Sequence, residues 1–320
     1  MNDIYPLFEI KNTALTALFI DEGRRGHQYQ GVCESGPMDR FAFTMANVLL
    51  HQPNRIAIEV FGSGFTLVAT TNITIAVTSS GGRLKINGSE EPMWTTHQLL
   101  AGDELSLYQD ECGYISYIAF AANIHSQNAY QSYSTVTRER AGGLNGDGSP
   151  LMVGDRVVGA AKSQEVKTLS STQQKRLASL VNSVYQQRSI KLLPGSQYNV
   201  LQPISWRRLL SSNYEVQRES NRMGVRLAGN AVLESTFSMR SEGVTMGTVQ
   251  VPSNGQPIIL MADRQTLGGY PKIANVALVD LPFLAQCKPG TTVTFTESDI
   301  NSARNQLRLR ERLIQQMRTN

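Results

Sequence analysis

The chain has 320 residues, of which 41% are hydrophobic, 7% aromatic and 18% charged. This composition supplies enough apolar surface for a folded core and excludes an intrinsically disordered protein. The formal charge of +4 is spread along the chain, without a basic block interleaved with aromatic residues, so nucleic acid is not a predicted partner. At roughly 100 to 200 residues per domain, the length predicts two domains.

The first predicted strand covers residues 14–20 and ends at a turn over 21–26. A helix is predicted from Met38 to Leu50, because Pro37 and Asp39 suit a helix start and the apolar residues that follow recur at helical spacing.

Residues 55–122 have the alternation and the tight turns of β structure. The predicted strands are 56–60, 65–68, 73–77, 84–86 and 105–108. Many short strands with one helix indicate a β-barrel or sandwich rather than a doubly wound sheet. A glycine-rich loop over 142–155 closes this predicted N-terminal domain, 1–162.

The segment 163–189 is predicted as a helical linker, because its apolar residues follow an i, i+3, i+4, i+7 pattern. Strand signals return at 190–193 and continue to residue 295, which predicts a C-terminal β domain over 190–320 that ends in a basic helix. The arginines of that last helix are interpreted as a solvated face.

Cysteine and histidine usage predicts no metal site. Cys33, Cys112 and Cys287 lie far apart without C-x-x-C spacing, so they are interpreted as reduced, packed thiols. The four histidines are equally scattered. The longest apolar stretch, residues 114–122, is too short to span a bilayer, and no secretory leader pattern is present, so a cytoplasmic protein is expected.

The most informative stretch runs from residue 241 to residue 272. A strand over 258–261 delivers Asp263, Arg264 and Gln265 at its end, and Gly268-Gly269-Tyr270-Pro271-Lys272 follows at once. Arginine can clamp a carboxylate or phosphate, an aspartate can orient a group or take a proton, and lysine can neutralise charge. The alternative is an internal salt bridge followed by an ordinary turn.

Two further segments are weaker candidates. In residues 220–224, Asn221 and Arg222 belong to a polar cluster that could donate hydrogen bonds to an anion. In residues 36–40, Asp39 and Arg40 form a possible second cluster with Glu59, although a helix start at Asp39 and a structural strand residue at Glu59 are the favoured interpretation. The sequence contains no phosphate-binding loop, no dinucleotide fingerprint and no serine nucleophile elbow.

These same residues carry a family resemblance. The segments 220–229, 241–274 and 280–290, together with 28–40 and 142–155, resemble the 5-oxoprolinase C-subunit family, which is also called the allophanate hydrolase subunit 2 or biotin-dependent carboxyltransferase family. The resemblance covers nearly the whole chain. The sequence departs from the family pattern at 77–81, 121–124 and 131–135.

The resemblance implies a mainly β protein with a few helices, built from two cyclophilin-like β-barrel domains. It implies a subunit of an ATP-dependent 5-oxoprolinase, which opens 5-oxo-L-proline to L-glutamate and works with two partners, a related β-barrel subunit of the complex and its hydrolase subunit. ATP with Mg²⁺ would be the cofactor of that complex. Under this interpretation Asp263, Arg264, Gln265 and Lys272 are the catalytic candidates.

The substrate-binding candidates are the polar and glycine residues around those four. They are Asn221, Arg222, Gln256, Gly268, Gly269 and Tyr270.

Two alternatives stay open. The runner-up is the carboxyltransferase component of a urea carboxylase-like system. Biotin would then arrive on another chain, because no Met-Lys-Met acceptor is present here. The third possibility is a non-catalytic regulator, since one family member is an antagonist of a sporulation-kinase inhibitor. The intact set at 263–265 and 272 favours catalysis.

Overall fold

The computed structural model describes residues 4–51, 56–110, 113–162, 169–187, 189–200, 202–232 and 239–318. The chain folds into two compact units. The first comprises Met1–Arg24, Ser35–Ser179 and Leu313–Asn320, and the second comprises Arg25–Glu34 and Leu180–Arg312. The sequence did not predict that residues 25–34 group with the second unit. The domain limits predicted at 162 and 189 stay predictions.

The first unit contains twelve strands among its described residues, together with one helix that lies wholly within it. The strands are β1 (Tyr5–Thr13), β2 (Thr16–Ile20), β3 (Ala57–Phe61), β4 (Phe65–Ala69), β5 (Ile73–Ser79), β6 (Arg83–Ile86), β7 (Ser89–Glu91), β8 (Thr95–Leu99), β9 (Glu104–Tyr108), β10 (Ile115–Phe120), β11 (Ala122–Ile124) and β12 (Arg156–Ala161). The helix is α1 (Arg40–Leu49).

These strands form a seven-stranded sheet in the order β11-β12-β1-β4-β9-β6-β7 and a five-stranded sheet in the order β2-β3-β10-β5-β8. One hydrophobic core contains side chains of both sheets, such as Phe8 and Leu67 of the first and Ile58 and Ile118 of the second. Alternating apolar positions along each strand supply this core, because successive side chains point to opposite faces of a sheet.

Helix α2 (Ser171–Tyr185) follows, and the remaining elements belong to the second unit. Its strands are β13 (Ser189–Pro194), β14 (Tyr214–Val216), β15 (Gly224–Gly229), β16 (Glu242–Gly243), β17 (Thr248–Gln250), β18 (Ile258–Leu260), β19 (Leu267–Gly268), β20 (Lys272–Val276) and β21 (Thr292–Glu297). The helices that begin in it are α3 (Pro203–Ser211), α4 (Leu281–Gln286) and α5 (Ile300–Arg318).

Seven of the second unit's strands close a barrel in the order β13-β20-β17-β18-β15-β14-β21, and the parallel pairing of β13 with β21 completes it. Strands β16 and β19 form a separate two-stranded sheet. Closure removes unpaired strand edges, and the short strands place several polar chain segments at the barrel ends.

The prediction of a mainly β fold with a few helices is confirmed. The predicted strands and the helices at 38–50 and 300–317 all appear, with ends shifted by a few residues, and the predicted linker helix appears as α2. Part of that linker, 163–168 and residue 188, lies outside the described residues. The structure adds six strands of the first unit that the sequence analysis did not list, β1, β7, β8, β10, β11 and β12, together with helices α3 and α4.

Cys33 and Cys287 are buried, which agrees with the prediction of packed thiols, and burial raises the pKa of Cys287 to about 12. Cys112 lies outside the described residues. Among the helices of the part that the structure describes, none is long and apolar enough to cross a membrane.

Candidate functional site

The end of strand β18 carries the first ion pair of the candidate site. The chain leaves the barrel wall through Met261 and Ala262, both buried, and reaches Asp263. Arg222 donates from Nε and Nη2 to the two carboxylate oxygens of Asp263, each at 2.8 Å. The backbone N–H of Asp263 donates to the carbonyl of Arg222 at 2.8 Å. This two-point pair fixes the guanidinium plane of Arg222.

Arg264 forms the second ion pair, with a residue that the sequence analysis missed. Its Nη2 donates to Oε2 of Glu34 at 2.8 Å, and its side chain is 6% exposed. Glu34 is distant in sequence and lies at the end of segment 25–34, where the Cys33 thiol donates to the carbonyl of Ala262. The Nε–H of Arg264 is buried and has no hydrogen-bond partner among the described residues. An unsatisfied buried donor of this kind costs about 1–3 kcal/mol.

Lys272, the first residue of β20, forms the third ion pair. Its ammonium group donates to Oε2 of Glu242. The Nε2 of Gln197 donates to the same oxygen at 3.1 Å, while its Oε1 accepts the backbone N–H of Lys272 at 3.1 Å. The hydrogen bond and charge of Lys272 hold the pKa of Glu242 below its usual value. The Glu242 carboxylate therefore has two side-chain donors, the Lys272 ammonium group and the Gln197 amide.

The buried side chain of Gln250, on β17, joins these segments. Gln250 is the ladder partner of Lys272, accepts from Nε2 of Gln265 at 3.5 Å, and donates to the carbonyl of Tyr270 at 3.4 Å. A side chain on Gly268 would overlap Nε2 of Gln250. Gly268 therefore allows the Gln250 side chain to lie close to the backbone at this position. The structure thus brings the predicted residues Gln265, Gly268, Tyr270 and Lys272 together around a residue that was not predicted.

The other predicted binding residues Asn221, Gln256 and Gly269 do not contact the side chains of the three ion pairs in the hydrogen bonds described here. Asn221 accepts the N–H of Met223 at 2.8 Å and shapes the turn before β15. The side-chain amide of Gln256 accepts from and donates to the backbone of Gly229, and the structure does not bring it to the ion pairs. Gly269 has room for a Cβ, with Oγ of Ser241 at 3.4 Å. These contacts brace the backbone, and ligand binding by these residues stays a prediction.

The possible second cluster, Asp39, Arg40 and Glu59, lies in the first unit. Asp39 is the N-cap of α1 and accepts the N–H of Ala42 at 2.9 Å. Glu59 accepts from the N–H of Met38 at 2.9 Å and from the hydroxyl of Tyr117 at 2.5 Å. Burial, followed by the charges of Glu59 and Asp39, raises the pKa of Tyr117 well above its usual value. Arg40 is exposed.

Across the described ranges, no group of three or more His, Cys, Asp or Glu side chains is arranged to hold a metal ion. The functional candidates that sequence reasoning missed are Glu34, Gln197 and Gln250. Glu242 lay within the segment singled out but had no role assigned. No sequence signal links Glu34 to Arg264, because their contact joins positions 230 residues apart.

Comparison with known protein families shows the class to which this chain belongs. The family model for the carboxyltransferase domain, subdomains A and B, matches residues 30–297. The chain belongs to this carboxyltransferase-domain family.

Two curated relatives match over nearly their full length. The C subunit of 5-oxoprolinase from Escherichia coli (strain K12) is 32% identical over 305 residues, 93% of each chain. The C subunit of 5-oxoprolinase from Haemophilus influenzae (strain KW20 / Rd) is 31% identical over 316 residues, 98% of each chain.

Larger proteins contain a similar region. The urea amidolyase of Saccharomyces cerevisiae is 27% identical over 88% of this chain, which corresponds to 16% of that protein. The crystal structure of the K. lactis urea amidolyase superposes with a TM-score of 0.84 over 98% of this chain and 20% of that chain, at 22% identity, which shows a shared fold.

Proposed function

We propose that this chain is the substrate-binding subunit of an ATP-dependent 5-oxoprolinase, active in a complex with two further subunits, one a related β-barrel protein and the other a hydrolase. One observation carries the proposal. The similarity to two proteins named as the C subunit of 5-oxoprolinase extends over at least 93% of each chain and includes the segments that form the three ion pairs. A cytoplasmic location stays a prediction.

The reaction adds water across the lactam C–N bond of 5-oxo-L-proline. The carbonyl carbon gains a hydroxyl oxygen and becomes the side-chain carboxylate of L-glutamate, and the ring nitrogen leaves as its amine. A lactam is a poor electrophile, so negative charge that develops on its oxygen must be stabilised. The unsatisfied Nε–H of Arg264 suits that oxygen, because a bound acceptor would satisfy a buried donor.

The other residues of the set take positioning roles in this proposal. Arg222 is committed to Asp263 by two hydrogen bonds, so Arg222 holds the Asp263 carboxylate in place for orienting the ring N–H or accepting a proton. Gln265 and the Gln250 beside it orient the lactam amide. Lys272 neutralises the negative charge of the substrate.

The described residues of this chain do not fit a magnesium nucleotide. No glycine-rich phosphate loop is present in the sequence, and the acidic side chains of the described residues do not converge into a metal-ligand set. We therefore propose that the ATP site lies on another subunit of the complex.

A second candidate function is the carboxyltransferase component of a biotin-dependent urea carboxylase-like system. The family description and the similarity to urea amidolyases favour it. In that case the same ion-paired residues would receive a carboxyl group from biotin carried by another chain. The regulatory, non-catalytic alternative has no supporting contact among the described residues, since partner binding alone does not require the three ion pairs.

The test is 5-oxo-L-proline-dependent release of ADP and L-glutamate by the chain co-purified with its neighbouring subunits, compared with each of these proteins on its own. The proposal predicts turnover by the complex and none by this chain alone. Absence of turnover, together with consumption of carboxybiotin in the presence of urea, would establish the carboxyltransferase alternative. Absence of both activities in an assembled complex would leave the regulatory function.

A further inference from the structure

The ion pair between Lys272 and Glu242 is unequal. The Lys272 side chain is 8% exposed, whereas the Glu242 side chain is 49% exposed. A buried ammonium group needs an anion beside it, because an unpaired charge in a low-dielectric surrounding is costly. A half-exposed carboxylate is hydrated on its open side and gives up its position at low cost. The cation is therefore fixed by the fold, and the anion is the exchangeable partner.

The chain segment that carries Glu242 is weakly held. Strand β16 has two residues, and among the described residues its one strand partner is β19, through Glu242 with Gly268 and Gly243 with Leu267. Residues 240–243 are all exposed, and a Cβ on Gly243 would meet no atom within 4 Å. Segments with exposed backbone hydrogen bonds and little packing open at low free energy. Glu242 can therefore move away without disturbing the barrel.

The donors that hold Glu242 form a carboxylate-binding arrangement. The ammonium of Lys272 and the side-chain amide of Gln197 converge on a single oxygen, Oε2, and the other oxygen has no hydrogen bond among the described residues. Charge-assisted donors converging on one oxygen recognise any carboxylate that reaches them. The exposed side chains of Leu267 and Tyr270 stand on the neighbouring strand and turn, where they supply apolar surface for the body of a small molecule.

We propose that Lys272 and Gln197 form a subsite for the carboxylate of a small carboxylic acid, and that Glu242 occupies it as an internal competitor in the free chain. The inference rests on the proposed function for the identity of the acid, which would be 5-oxo-L-proline. Binding exchanges one carboxylate for another at Lys272, so the buried ammonium is never left unpaired. Glu242 then sets the affinity of the site rather than the chemistry.

The test measures dissociation constants of the full chain by NMR titration, with 5-oxo-L-proline, with cyclopentanecarboxylate and with 2-pyrrolidinone. The second probe has the carboxylate without the lactam, and the third has the lactam without the carboxylate. In Glu242→Gln the competitor loses its charge, so both carboxylate probes should bind about tenfold more tightly than to the wild type, while 2-pyrrolidinone binding stays unchanged.

Two variants control this experiment. Glu215→Gln removes the same charge from an exposed position on β14 and should leave all three constants unchanged. Lys272→Gln should abolish the preference for carboxylates over 2-pyrrolidinone. If Glu242→Gln does not fold, this loss of carboxylate preference in Lys272→Gln still tests the subsite.

The outcomes separate this inference from the proposed function. Carboxylate binding that is unchanged or weaker in Glu242→Gln, or no carboxylate binding by either protein, overturns the competitor subsite. Tighter binding of cyclopentanecarboxylate combined with an assembled complex that does not consume 5-oxo-L-proline would support the subsite and overturn the 5-oxoprolinase assignment.

Discussion

The two units each bury carboxylates, but they use them differently. In the first unit, Asp39 and Glu59 accept hydrogen bonds from backbone N–H groups and from the Tyr117 hydroxyl, and both are fully buried. In the second unit, Asp263 pairs with an arginine beside a barrel strand, and the carboxylate partners of Arg264 and Lys272 are partly exposed. Buried carboxylates that accept hydrogen bonds from the backbone stabilise the fold. Partly exposed carboxylates that pair with buried cations are suited to exchange with a ligand.

The largest expected effect is on turnover. Asp263→Ala in the assembled complex should reduce 5-oxo-L-proline-dependent glutamate release by about 100-fold or more, because Arg222 loses the partner that fixes it and the substrate loses an orienting group. Asp39→Ala is the matched change in the first unit and should leave the rate per assembled complex within about twofold. Similar losses of rate in Asp263→Ala and Asp39→Ala would mean that the carboxylates of the second unit are no more important for turnover than those of the first.

Among the two buried carboxylates of the first unit, Glu59 is expected to contribute more to the free energy of unfolding than Asp39. Glu59→Ala leaves the N–H of Met38 and the Tyr117 hydroxyl without their acceptor in a buried place, so the free energy of unfolding should fall by about 3 kcal/mol. Urea denaturation monitored by circular dichroism measures the change. The exposed Glu90→Ala serves as a control, with a change within about 0.5 kcal/mol. A loss for Glu59→Ala as small as the control would show that its hydrogen bonds add little.

Asp39 should contribute less, as a helix N-cap. Asp39→Ala removes the acceptor of the Ala42 N–H and should lower the free energy of unfolding by about 1 kcal/mol, whereas Asp39→Ser, which keeps an acceptor, should recover most of the loss. The same urea experiment measures both variants. Equal stability of the alanine and serine variants would mean that the cap is not the source of the effect.

The smallest expected effect is the titration of Glu242. The hydrogen bond and charge of Lys272 lower its pKa below the ordinary value of 4.5, so the ion pair is fully formed above pH 4.5 and is lost as the pH falls through the lowered value. Carbon NMR of the Glu242 carboxyl group should record this depressed pKa, and Lys272→Gln should return it toward 4.5. An ordinary pKa in the wild type would mean that the pair is not populated in solution.

Local sequence patterns predicted much of the second unit's site. The strand at 258–261 and the polar residues directly after it are visible in the sequence, and the structure places Asp263, Arg264 and Gln265 there. Glu34 could not be predicted, because its contact with Arg264 depends on the packing of segment 25–34. The sequence analysis also assigned Arg222 to a substrate anion, whereas Asp263 already engages its guanidinium at two points.

The fold was predictable where hydrophobic alternation is strong, as in β3 to β5. Helix α3 was missed because only Ser205, Trp206 and Leu209 of its nine residues are buried, which gives a weak helical pattern. Helix α4 has six residues, too few to establish a period. Strand β1 was not predicted although it carries the same alternation, since Phe8 and Ile10 are buried and Glu9 and Lys11 are more exposed.

The substrate of the complex is proposed to bind at the three ion pairs of the second unit, Arg222 with Asp263, Arg264 with Glu34, and Lys272 with Glu242. The most direct measurement is the rate of glutamate release from 5-oxo-L-proline by complexes that carry Arg264→Gln or, as a control, Arg226→Gln, an exposed arginine on β15. Both complexes must first be shown to assemble. We expect the rate of glutamate release to fall about 100-fold in Arg264→Gln and to stay unchanged in Arg226→Gln. A wild-type rate with Arg264→Gln would contradict this proposal.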